Sequence, residues 1–397
     1  MPETTGEMGR APDALGPVVE TILGKRFGGA VRLDPGAALD PGSRSQVYRF
    51  TVRDGPADLP ATVIAKQAGG TVGEPYDPDH PTGPAWGLFN EWAGLQFLDA
   101  LGGDHPPAAR FYGGDRAAGV VVLEDMGEGA HLHTFLLDND PAAAEAALIG
   151  LATTLGHMHA LGAGNVAAYR RLRDALGPAN PEATLEGYDW LTPAFDGMVA
   201  AFGITPAPGT DSDLLALGAA LRDPGPFLTY IHGDPCLDNC LLTPAGVRLF
   251  DFEVGGAGQA LIDGVYGRMR FPSCWCVGQL PPAIPLRMEA AYRAELVRGC
   301  PAAADDTLLA HAVAEACAFW ILRMGQWKQL TRALESDYEW GIATGRQRFL
   351  LRLPMVARTL GEIGHLDALG ASFARMANAA LRRWPDLAPM LYYPAFQ

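Results

Sequence analysis

Positive charge is scarce in this chain. Lysine and arginine together number 30 against 45 aspartates and glutamates, so the net charge over 397 residues is −15. Such a field repels phosphate backbones and anionic lipid surfaces, and neither nucleic acid nor a membrane is expected as a partner. It draws cationic ligands towards acidic clefts, although acidity serves solubility equally well. Long apolar runs are missing too. No stretch offers ~18 consecutive apolar residues, and the Ala-rich run from Ala142 to Ala163 is interrupted by Glu145, Thr153, Thr154 and two histidines. The N-terminus, Met1-Pro-Glu-Thr-Thr-Gly-Glu, lacks the basic start and apolar centre of a secretory signal. A cytoplasmic location is therefore expected.

Cysteine is sparse as well. Six in so long a chain are too few for a disulfide scaffold. Cys236 with Cys240 and Cys274 with Cys276 suggest a zinc site only loosely, because C-x3-C plus C-x-C is unlike the usual knuckles. Buried thiols are expected instead. No internal repeat and no long low-complexity tract is present. With 48% hydrophobic and 19% charged residues, the chain has the composition of a folded globular enzyme, long enough for two lobes.

What is present centres on His232-Gly-Asp-Pro-Cys-Leu-Asp-Asn239, followed by Leu249-Phe-Asp-Phe-Glu253. Phosphoryl transfer from Mg·ATP to a hydroxyl needs one carboxylate near the attacking oxygen and further oxygen ligands for magnesium. Asp234, Asn239 and Asp251 suit those tasks in type and order. As isolated residues, Asp and Asn are turn formers. Thr229-Tyr-Ile231 and Val247-Arg-Leu-Phe250 read as short strands flanking a Leu-Leu-Thr-Pro-Ala-Gly turn, a small hairpin carrying the motif.

This pattern resembles the H-x-D-x-x-x-x-N loop and D-x-[DE] metal motif of the aminoglycoside phosphotransferase and choline kinase-like families, relatives of the protein kinases. Gly233 stands where protein kinases have Arg, and Glu253 where they have the Gly of D-F-G; both favour a small-molecule acceptor. The resemblance implies an α+β, bilobal, protein kinase-like fold. Its N-terminal nucleotide-binding lobe, an antiparallel sheet with one helix, would cover residues 1–123, a hinge residues 124–127, and a larger, mainly helical catalytic and acceptor-binding lobe residues 128–397. It also implies ATP and Mg as cofactors.

Upstream, Leu39-Asp-Pro-Gly-Ser-Arg-Ser-Gln-Val-Tyr-Arg-Phe-Thr-Val52 is a turn of small residues leading into an alternating strand. It looks like the families' nucleotide-binding loop, with Gly42, Ser43 and Ser45 in place of three glycines; alone, it reads equally as a plain hairpin. Ala61-Thr-Val-Ile-Ala-Lys66 is a second strand, close to the V-A-I-K strand of kinases. A lysine ending a strand is often a solvated edge charge. By resemblance, Lys66 meets the α- and β-phosphates and is held by Glu91, on a helix beginning near Pro84. The hinge, Val120-Val-Val-Leu-Glu-Asp-Met-Gly127, would offer main-chain groups of Glu124 to Met126 to adenine, with Leu123 and Met126 near the base.

The remainder is less specific. His157 and His159, two apart on a helix, point about 200° from each other and read as packing residues. Asp263, in Gly255-Gly-Ala-Gly-Gln-Ala-Leu-Ile-Asp263, matches the family residue that braces the catalytic loop, and His232 would support the same loop. Glu186, Asp189, Asp211 and Asp213 lie in a Gly- and Pro-rich region that could shape an acceptor pocket. Trp327, Asp337, Glu339 and Trp340 read as helix packing or as an amine-binding wall. Arg270-Phe-Pro-Ser-Cys-Trp-Cys276 is a candidate lining for the acceptor. The expected function is transfer of the γ-phosphate to a small-molecule hydroxyl, with an aminoglycoside-like or other amine-bearing acceptor. The competing expectations are a catalytically silent nucleotide-binding regulatory module and an unrelated metal-dependent hydrolase.

Overall fold

Apolar residues at every second position make Ser45–Asp54 (β1) and Thr62–Ala68 (β2) strands with one face turned to a core. Phe111–Asp115 (β3) and Val120–Glu124 (β4) complete an antiparallel sheet in the order β1-β2-β4-β3, and the short strands Arg32–Leu33 and Ala37–Ala38 pair with β1. The structure, a computed structural model, describes residues 12–39, 45–69, 76–80, 84–178, 187–326 and 328–397.

The sequence predicts one helix beside this sheet, and the structure has two. In Pro12–Phe27 (α1), Leu15, Val19, Ile22 and Leu23 recur at helical spacing and pack with Tyr48, Phe50, Val63, Ala65, Val120 and Val122. Pro17, inside this helix, masks its signal. Because side chains alternate along a strand, Ala65 facing α1 turns its neighbour Lys66 to the opposite face. There Ala85–Gly102 (α2) brings Glu91 to Lys66. α2 is apolar almost all round, so Asn90 and Glu91 are conspicuous among its buried residues.

The described residues form two compact units, each of three stretches. One contains the chain up to Gly129, the described part of Ala167–Thr184, and Arg248–Gly255. The other contains Ala130–Val166 and the described parts of Leu185–Val247 and Gly256–Gln397. The first holds the sheet, α1 and α2.

The second unit is mainly helical. Pro141–Gly162 (α3) starts at Asp140, whose side chain accepts from the amides of Ala142 and Ala143, both at 3.0 Å. Asp306–Gln326 (α4) is long and apolar enough to cross a membrane. Its Phe319, Trp320 and Leu322 are buried in the unit, and Trp320 Nε1 donates to the Ile262 carbonyl at 2.7 Å. Gly345–Ile363 (α5) opens with a capping box between Thr344 and Gln347.

The hairpin expected to carry the motif is built differently. Leu228–Ile231 (β5) is a strand, but it pairs antiparallel with Gly256–Gln259 (β6), Ile231 opposite Gly256. The turn at Pro244 to Gly246 is instead entered by the strand Cys240–Thr243, and Thr243 Oγ1 closes it by accepting from Ala245 N and donating to the Gly246 carbonyl. β6 reads Gly-Ala-Gly-Gln, which carries no β-branched or aromatic residue to announce it.

Candidate active site

In the first unit the register of β2 fixes Lys66 opposite Val47 on β1 and Val121 on β4. Its Nζ lies 2.6 Å from Glu91 Oε2 and 2.5 Å from Asp251 Oδ1. Glu91 is 2% exposed, whereas the Asp251 side chain is 33% exposed. Burial alone would pull the lysine down, but the two carboxylates outweigh it and hold the ammonium well above its ordinary value. This is a permanent, enclosed positive charge beside one acid that solvent and ligands can still reach.

Asp251 adopts φ 66°, in the left-handed region. Aspartate tolerates this better than most residues, at a cost of about 1–3 kcal/mol that the surroundings must offset. The support comes from residues outside the sequence motifs. Asn90 donates to the Glu253 carbonyl at 3.0 Å, and Arg173 Nε donates to Asn90 Oδ1 at 2.7 Å. An asparagine beside Glu91 in a helix that is apolar almost all round was the available signal.

The segment after β4 is held by two further arginines. Arg248 Nη2 lies 2.8 Å from Glu124 Oε2, which also accepts from Arg110 N at 3.0 Å. Arg49 grips Asp125 with Nε at 2.6 Å and Nη2 at 3.0 Å, and Gly127 N donates to the same carboxylate at 3.0 Å. Burial opposes ionisation of Asp125, but the Arg49 and Gly127 hydrogen bonds keep it below the ordinary carboxylate value. The Glu124 side chain thus braces the end of β4. Met126 is half-buried. Ser43, with Gly42 and Arg44, lies outside the described residues, as does the side chain of Ser45.

In the second unit the His232–Asn239 loop is built around Asp263. This fully buried carboxylate accepts from His232 N at 2.6 Å and from Gly233 N at 3.0 Å. His159, also fully buried, places Nε2 at 3.2 Å from Asp263 and Nδ1 at 2.7 Å from Tyr292 OH. His159 therefore does more than pack, as it orients the acid that orients the loop. Gly233 has φ 78°, a conformation arginine would adopt only with strain, which explains the glycine physically. Asp234 N then donates to His232 Nδ1 at 3.3 Å, while Asn239 Nδ2 donates to the Asp234 carbonyl at 3.0 Å. Asp234 and Asn239 are both half-buried.

The cysteines depart from expectation. Cys236 and Cys274 are joined by a disulfide, while Cys240, Cys276, Cys300 and Cys317 are buried thiols. Cys236, Cys274 and Asp238 lie close together, but bonded sulfurs offer no thiolate pair to zinc. The aromatic wall fares similarly. Arg348 stacks 4.3 Å from the Trp340 ring centre and Asp337 accepts from Arg346 N at 3.1 Å, so partners from the chain itself engage both residues. Trp327 and Glu186 lie outside the described residues.

These geometries can be set against known proteins. Residues 42–274, more than half of the chain, match the phosphotransferase enzyme family designated APH. Comparison with curated proteins finds no significant match. Among solved structures, the chain is similar to choline kinase from Cryptosporidium parvum Iowa II, at 12% identity over 90% of this chain and 99% of that one, with a TM-score of 0.50. It is also similar to macrolide 2'-phosphotransferase MphH from Brachybacterium faecium, at 16% identity over 81% and 96% of the two chains and a TM-score of 0.41. Choline kinase LicA from Streptococcus pneumoniae gives 12%, 87%, 99% and 0.41 in the same order. The likeness to the first supports the expected kinase-like fold. With that fold, and with the family match spanning Lys66, Glu91, Asp234, Asn239, Asp251 and Asp263, the chain belongs to the APH phosphotransferase enzyme family.

Proposed function

We propose that the protein transfers the γ-phosphate of ATP, with Mg²⁺, to a hydroxyl of a small molecule bearing an amine. The observation that carries this reading is the Lys66 ammonium between Glu91 and Asp251, at 2.6 and 2.5 Å. A buried lysine held charged by an inaccessible acid has little structural need for a second, partly exposed acid. It suits a group that must meet polyphosphate. Membership of a phosphotransferase family supports the same chemistry.

Each residue then has a task. Lys66, positioned by Glu91, neutralises the nucleotide phosphates. The donor set fits magnesium, which takes hard oxygen ligands and few of them from protein. Asp251 supplies a carboxylate, and Asn239, its amide nitrogen committed to the Asp234 carbonyl, presents its oxygen. When bound, Mg²⁺ offsets charge on the transferring phosphate oxygens. Asp234 accepts the hydrogen bond of the acceptor hydroxyl and takes its proton as the new O–P bond forms and the bond between the γ-phosphorus and its bridging oxygen breaks, leaving ADP. His232 and Asp263 keep that loop in shape, and main-chain groups of Glu124 to Met126 serve the adenine edge. The net charge of −15, which concentrates cations near the protein, favours an amine on the acceptor.

A screen of hydroxylated amines, antibiotics and sugars for acceptor-dependent ADP release tests this. A hydroxylated amine should raise ADP release in a magnesium-dependent manner. Conversion of an acceptor without ATP, or ADP release that no acceptor raises above baseline, would defeat the reading.

A further inference from the structure

Two hydroxyls converge on the candidate catalytic carboxylate from a part of the chain outside the familiar motifs. Ser273 Oγ donates to Asp234 Oδ1 through a short hydrogen bond. Tyr266 OH lies 3.3 Å from the same oxygen and 2.7 Å from Ser273 Oγ. Tyr266 is 1% exposed, and burial first, then the Asp234 charge, keeps its phenol protonated far above the ordinary range. A phenol that burial keeps protonated thus backs a second donor, which ends on the carboxylate.

The segment carrying Ser273 is fixed with unusual thoroughness. Arg270 and Phe271 are consecutive residues in the left-handed region, at φ 54° and 49°, a bend that persists only under external support. Two fully buried arginines one turn apart on α5 provide it. Arg352 donates to the carbonyls of Met269 at 2.8 Å and Arg270 at 2.7 Å; Arg348 donates to those of Cys274 and Trp275, each at 2.7 Å. From the other side, the Cys236–Cys274 disulfide ties the segment to the loop that bears Asp234. A half-buried carboxylate could be satisfied by water. The elaborate support of Ser273 is better explained by a need to orient it.

We propose that Ser273 and Tyr266 are positioning residues that hold the Asp234 carboxylate in the orientation required to receive the acceptor hydroxyl. This rests on the phosphotransfer reading above. Hydrogen bonds to a charged group are strong and directional, and a catalytic group misplaced by an ångström can cost roughly 100-fold in rate.

The test uses the full chain and two readouts, Mg·ATP turnover and affinity for the non-hydrolysable analogue AMP-PNP with magnesium. Ser273→Ala and Tyr266→Phe should each lower turnover by roughly 10- to 100-fold while analogue affinity and melting temperature stay unchanged. Ser273→Thr, which keeps the hydroxyl, should recover most of the rate. Variants that turn over like the parent, or whose rate and analogue affinity fall together, overturn the proposal, as does a Ser273→Thr variant no better than Ser273→Ala. Parent turnover that Asp234→Asn leaves intact overturns the phosphotransfer reading and the positioning role with it.

Discussion

Lys66 is one of only three lysines in the chain, the others being Lys25 and Lys328, in a protein that otherwise uses arginine for its cations. Arginine's planar fork suits paired carboxylates, whereas a compact ammonium suits phosphate as a point charge. Lys66→Met leaves Glu91 buried without its cation, and breaking a buried pair on one side costs about 3–5 kcal/mol. The single variant should therefore lose both stability and phosphotransfer. Adding Glu91→Leu should recover much of the stability in urea unfolding but none of the activity. A double variant no more stable than Lys66→Met would show that the pair is not the structural unit described. At this scale the sequence was most legible. Lys66, Glu91 and Asp251 were each singled out because the motifs encode side-chain chemistry directly, and the structure sets the lysine against both acids. Asn90, Arg173 and Tyr266 were not foreseen, and Ser273 only as part of a segment lining the acceptor, since each acts through a partner remote in sequence.

Elements show where local pattern loses its hold. β5 was visible as a strand, yet its partner β6 was not, because pairing there is decided by tertiary placement rather than by the propensity of Gly-Ala-Gly-Gln. α1 carried helical spacing, but Pro17 disguised it. The arginines of α5 read as ordinary helix cations until their carbonyl partners are seen. The Arg49–Asp125 pair, which joins β1 to the end of β4, gives a pH prediction. Asp125 is held below its unfolded value, so the stability it contributes is present above the ordinary carboxylate range of roughly pH 4 and is lost as pH falls through its lower folded value. Arg49→Met should therefore destabilise the protein near neutrality, and the penalty should shrink in acid. Urea unfolding of parent and variant across the acid range measures this, and a penalty independent of pH would speak against the assigned pair.

At the scale of the whole molecule, each compact unit is assembled from three separate stretches, and Arg248–Gly255 leaves the helical unit to place Asp251 beside Lys66. No window sliding along the sequence can see such an excursion. It follows from the packing of Glu124, Asn90 and Lys66 onto that short segment. Net charge, by contrast, was legible from composition alone and has a consequence of its own. If a field of −15 gathers a cationic acceptor, the acceptor's KM should rise with ionic strength as the Debye length contracts from about 10 Å at 0.1 M salt, while kcat changes little. A KM indifferent to salt would remove charge as the reason for preferring an amine.

The central claim is that Asp234 receives the acceptor proton while Lys66 and Asp251 handle the phosphates of Mg·ATP. Its most direct test is mass-spectrometric yield of phosphorylated acceptor from the parent and from Asp234→Ala, at equal nucleotide occupancy. Loss of a positioned general base typically costs about 100- to 10,000-fold, so the variant should bind Mg·ATP normally and yield almost no product. A variant that phosphorylates the acceptor at the parent rate would contradict the account.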